Sequence, residues 1–140
     1  MNKLNQKQKI ASYIKVEVAL SKDVTIIDVP GEFVVQMNDT DKGKFEDVHA
    51  NAIEITDVLE SDKPYCSQKA TITLSGAATI DRKVYEDKDV ILRATQTDGT
   101  RMIIGNNDFP IRLFIEQSGK PVITKLTFDH KHPEHIKESI

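Results

Sequence analysis

The chain has no tryptophan, one cysteine and no apolar run longer than a few residues. Each shortage closes off a class of function. With aromatics at 6%, there is little material for a platform on which sugars or unpaired bases stack. A lone Cys66 rules out an internal disulfide and fits a reducing compartment. No segment approaches the roughly 20 apolar residues that a membrane helix needs, so no membrane partner is expected. No basic stripe stands out and the formal net charge is −3, so nucleic acid is not an expected partner either. The scattered glycines form no Walker or dinucleotide loop, and no cofactor is expected. The opening MNKLNQKQKIAS carries lysines but no apolar h-region, which predicts a cytoplasmic or virion-associated protein without a signal peptide.

What is present is 140 residues, 39% apolar and 29% charged, enough for one domain with a buried core. Residues 1–12 are polar and read as a flexible arm. From Tyr13 to Leu20, the apolar residues Ile14, Val16, Val18 and Leu20 alternate with Lys15 and Glu17, the period of a half-buried strand. Short β-branched runs follow at 24–27 and 33–37, broken by Asp28-Val29-Pro30-Gly31. Residues 45–60 carry both helical and strand spacing, and 52–58 reads as strand. Residues 81–89 read as one helical turn or a loop.

The pattern is cleaner further on. Ala70, Ile72 and Leu74 alternate, as do Val90, Leu92 and Ala94. Asp98-Gly99 predicts a two-residue type I′ hairpin turn leading to a return strand at 100–104. Ile111, Leu113 and Ile115 mark a strand at 109–116, and Gln117–Pro121 a second turn. Val122, Thr124, Leu126 and Phe128 mark the last strand. The prediction is an all-β fold with at most one short helix: an antiparallel meander forming a sandwich or barrel over residues 13–128, followed by a polar tail at 129–140.

Four residue groups invite a chemical reading. His130, His132 and His135, with Glu134, could hold zinc or nickel. Pro133 and the position near the chain end favour a solvated tail instead. Cys66 could act as a nucleophile with His49, the one histidine outside that run, but nothing near it resembles a nucleophile elbow. Asn38–Gly43 imitates a calcium loop but breaks its pattern at Lys42, so a turn explains it better. Asn106-Asn107-Asp108 reads as Asx-type turn chemistry. No set qualifies as catalytic, and an enzyme is not expected. The ribbon 90–104 instead offers a polar face for docking, through Arg93, Thr95, Thr97, Asp98, Gly99, Thr100 and Arg101.

The succession Val90–Arg93, Asp98–Gly105, Phe109–Leu113, Ser118–Lys120, Lys125–Phe128 and Pro133 resembles small all-β proteins of prophage and integrated-element clusters. The likeness covers about the last 45 residues. It implies a tail or head–tail structural protein with no catalytic residues to transfer, whose partners are copies of itself or other structural subunits. The alternative is a small β module that holds a ligand in a barrel mouth.

Overall fold

A computed structural model describes residues 12–139, apart from 77 and 79. The expected arm thus lies outside the described residues, except for Ser12. The rest is all-β with one short helix, as the alternation predicted. Strands β1 (Tyr13–Leu20), β2 (Ile26–Ile27), β3 (Val34–Met37) and β4 (Glu46–Asp47) belong to a larger sheet. So do β7 (Asp89–Gln96), β8 (Arg101–Ile104), β9 (Ile111–Arg112) and β12 (Lys137–Ser139). A smaller sheet holds β5 (Ala50–Leu59), β6 (Cys66–Leu74), β10 (Phe114–Ser118) and β11 (Ile123–His132). Between β6 and β7 lies the helix α1 (Arg82–Tyr85), whose first turn is capped by the Asp81 carboxylate accepting from Lys83 N–H at 2.9 Å.

The pairing order goes beyond a run of consecutive neighbours. The larger sheet reads β2-β3-β12-β8-β7-β1-β4, with β9 also on β7; the smaller reads β10-β11-β6-β5. Hairpins β5–β6, β7–β8 and β10–β11 are sequential, while β12 inserts between β3 (parallel) and β8 (antiparallel). The stretch expected as one strand at 109–116 is two strands in different sheets. Ile111, Leu113 and Ile115 are all buried, so one apolar row serves the same core on either side of a corner at Leu113. Residues 46–59 cross between the sheets in the same way.

Two apolar clusters result. Val16, Val18, Leu92 and Ile104 of the larger sheet pack against Ile72, Leu126 and Phe128 of the smaller. On the other face of the larger sheet, Ala19, Ile91 and Ile103 are covered by Val24, Ile26, Val35, Met37 and Phe45. Both faces of β1 and β7 are therefore buried, which is why Glu17 and Arg93 are buried too.

Three local expectations change. Ile14 is not a core residue: β1 shifts register between Tyr13 and Lys15, and Ile14 stands 59% exposed at the irregularity. The 97–100 turn is not type I′. Only Gly99 has positive φ, Gly99 N–H donates to Gln96 O, and Gln96 N–H donates to Thr100 O, the geometry of a type I turn closed by a glycine bulge. The polar tail is absent. β11 runs on to His132, and β12 carries the chain back into the larger sheet.

Candidate functional site

The alternation of β11 explains what happens to the histidines. Thr124, Leu126, Phe128, His130 and His132 fall on one face, and all are buried. His130 Nε2 and His132 Nδ1 lie 3.0 Å apart, and His132 Nε2 lies 3.8 Å from Asp28 Oδ2. Burial holds the His130 pKa down at about 4. It also lowers that of His132, against the pull of Asp28, Asp57 and Glu134. Neutral rings suit the geometry, since one must donate and the other accept across the 3.0 Å contact. The Phe109 ring meets His132 edge-on at 5.6 Å.

Around this pair a polar network joins three parts of the chain. The Lys137 ammonium, at the start of β12, donates to Asp28 Oδ1 at 2.7 Å and to Glu134 Oε1 at 2.8 Å. Asn106 Nδ2 donates to Asp28 Oδ2 at 2.7 Å, and Gly31 N–H donates to Glu134 Oε2. Burial alone would raise the Asp28 pKa, but hydrogen bonds from Lys137 and Asn106 outweigh it and leave the carboxyl below its ordinary value. Lys137 is correspondingly raised, its burial outweighed by Asp28 and Glu134.

His135 leaves this network. Its Nδ1 lies 3.0 Å from Asp57 Oδ1, at the surface end of β5. Asp57 Oδ2 accepts from Ile136 N–H at 2.7 Å. Cys66 faces the same place, and the ligating atoms of Asp57, Cys66 and His135 lie within 4.8 Å of one another. A groove of about 370 Å³ passes over Cys66 and His135, bordered by Phe33 and Leu59. The tail histidines thus form no common metal site. Two point into the core, and the third meets partners on other strands.

Cys66 is buried, and burial, then Asp57 and Glu134, raise its thiol pKa. The suggested Cys66–His49 pair is not formed. His49 precedes β5, Cys66 pairs with Leu59 at that strand's far end, and ten residues of strand separate them by roughly 30 Å. His49 is exposed and turns to Asp47. The acidic loop 38–44 holds a turn at 39–40 that runs into a 3-10 helix (Asp41–Lys44): Asp41 is buried, accepts from Thr25 N–H at 3.0 Å and pairs with Lys44. Asn106 Oδ1 accepts from the backbone N–H of Asp108 and of Phe109, the expected Asx chemistry. Asn107 adds a tie that its sequence context does not announce, bonding Ser21 O, Val24 O and Ile26 N–H.

Of the proposed docking residues, Arg93 is a core residue. It forks onto both carboxylate oxygens of Glu17 at 2.9 Å and lies 4.5 Å above the Phe45 ring. Thr97, Asp98, Gly99 and Arg101 are exposed, and Thr95 and Thr100 are half-buried. Asp98 Oδ1 braces this tip by accepting from Thr100 N–H, which lowers the carboxyl pKa. Because β7 and β8 have neighbours on both sides, the tip is the part of this ribbon that the described residues leave uncovered.

No family model, curated protein or solved structure matches the chain. Among the described residues no helix is long and apolar enough to cross a membrane.

Proposed function

We propose that the chain is a non-catalytic structural subunit of phage-like type that associates with a second copy of itself through the edge of its smaller sheet. The observation that carries this reading is β5: ten residues long, paired among the described residues only with β6, and ending in Val58 and Leu59 at 56% and 61% exposed. Beside Leu59, across the same groove, Phe33 is 90% exposed. A long edge strand with apolar residues at its end is a template for a further strand unless it is covered. Since Glu60 N–H donates to Tyr65 O, the backbone groups of Ile53, Ile55, Asp57 and Leu59 turn away from β6 and towards an incoming strand.

An antiparallel pair of two β5 strands is self-complementary about a two-fold axis. Centred on Ile55, it sets Glu54 against Thr56 and Ala52 against Val58, with no like charges opposed. The hairpin tip Thr97–Arg101 is a second exposed contact for a neighbouring subunit. A ligand module has less support, because the space between the sheets is filled by side chains such as Ile72, Leu92, Ile104 and Leu126, all fully enclosed. Light scattering after size exclusion tests the proposal. The wild-type mass is expected at twice that of the chain or more, falling to monomer in Val58→Lys/Leu59→Lys. A wild-type chain that stays monomeric at high concentration, or association unchanged by the two lysines, would overturn it.

A further inference from the structure

The groove over Cys66 carries an inference independent of how copies of the chain associate. Asp57 and Gln68 are directly opposed on β5 and β6, and Leu59 opposes Cys66, so Asp57, Cys66 and Gln68 share the inward face of that ladder. His135 enters from the segment leading to β12. We propose that Asp57, Cys66 and His135 bind a divalent cation of the zinc class, with the fourth position open to the groove.

The donors fit the ion. A carboxylate oxygen, a thiolate and an imidazole nitrogen form a mixed set of borderline softness, which suits Zn²⁺ and is wrong for calcium or magnesium. Donors bound to one zinc lie roughly 3–4 Å from each other. Here all three fall within 4.8 Å, with His135 and Asp57 at 3.0 Å. Asp57 is also held from behind, since Ile136 N–H fixes Oδ2 and leaves Oδ1 facing His135.

A second observation points the same way. Gln68 is 1% exposed, and its Nε2 donates to Glu134 O at 3.1 Å and faces Asp57 Oδ1 at 3.5 Å. Its Oε1 is the one buried side-chain polar atom among the described residues with no partner. Gln68 and His135, with Asp28, His132 and Lys137, line one small cavity of about 10 Å³, the space of a single water, beside Asp57. A water in that cavity, beside a cation held by His135, would donate to Gln68 Oε1 and satisfy it. An ion so placed would clip the smaller sheet to the strand that returns to the larger one.

Titration of the metal-stripped full chain with Co²⁺, followed by Zn²⁺, tests the proposal. One equivalent of Co²⁺ is expected to bind, with a near-ultraviolet thiolate-to-cobalt charge-transfer band that Zn²⁺ abolishes. The band should disappear in Cys66→Ser. Affinity should fall at least tenfold in His135→Ala, an exposed position whose loss leaves the core intact, and by roughly tenfold in Gln68→Leu. Circular dichroism verifies that each variant is folded. Zn²⁺ should raise the thermal midpoint of the wild type but not of His135→Ala. Absence of a thiolate band at one equivalent, or binding that persists in Cys66→Ser and His135→Ala but is lost in His130→Gln, would overturn the assignment.

Discussion

His130 sets a pH window of its own. Its ordinary pKa is 6.5 and the fold holds it at about 4. Between those values the unfolded chain binds a proton that the folded chain refuses, so stability falls as pH drops from 6.5 towards 4 and levels off below. The shift corresponds to roughly 3 kcal/mol. Asp28 acts lower: its pKa is depressed, so its contribution is present above its ordinary 3.8 and is lost as pH falls further. Urea melts from pH 7 to pH 4 should show the first loss, and the His130 ring resonance should titrate near pH 4. Titration of that ring near 6.5 would contradict it. Arg93 gives a second prediction. Arg93→Ala should cost about 3–5 kcal/mol in denaturant unfolding, because it leaves the buried Glu17 carboxylate with no cation nearer than half-exposed Lys15 at 3.9 Å. Replacing both residues with apolar ones should cost less than that single change. At Gly105, φ is +88°, and an added Cβ would lie 3.2 Å from Ile111 Cγ1 and 3.4 Å from Phe109 O. Gly105→Ala should destabilise by roughly 1–3 kcal/mol, read in the same melts.

Among the strands, those with a plain period of two were legible in the sequence: β1, β6 and β7 stand where alternation put them, and β11 begins there but runs on to His132. The misreadings share a physical cause. Alternation reports which face is buried, but not which sheet a strand joins, so the row Ile111–Leu113–Ile115 concealed a corner. Polar residues were read as solvent-facing, which hid Arg93 and Lys137, each buried with a carboxylate far away in sequence. The inward row of β11 continues through His130 and His132 with unbroken parity, and that signal was available; the partners Asp28, Asn106 and Gln68 were not. The same error made β12 look like tail. Truncation after His132 removes β12 and leaves Asp28 buried without Lys137. It should destabilise by about 3–5 kcal/mol or more, whereas a solvated tail would leave the melt unchanged. Thermal unfolding of the two chains side by side decides between them.

The chain passes between the sheets through both edge strands of the smaller one, at residues 46–59 and 111–118, and the sheets share one apolar cluster. Neither can expose its inner face without exposing the other's. Amide exchange should therefore protect β6 and β11 to the same free energy as β1 and β7, with unfolding in one transition. Two separate protection levels would mean that the sheets melt independently. Most neighbouring strands are also far apart in sequence, which places folding on the millisecond-to-second side. The position of β12 adds a constraint on timing during synthesis. It is the slat between β3 and β8, and it comes after all the other described strands in chain order. A ribosome-bound nascent chain can zip β2 to β3, β7 to β8 and β10 to β11, yet β3 lacks its second neighbour until residue 139 clears the exit tunnel. Until then one edge of β3 stays unpaired, and that interval is when a chaperone would have most to hold.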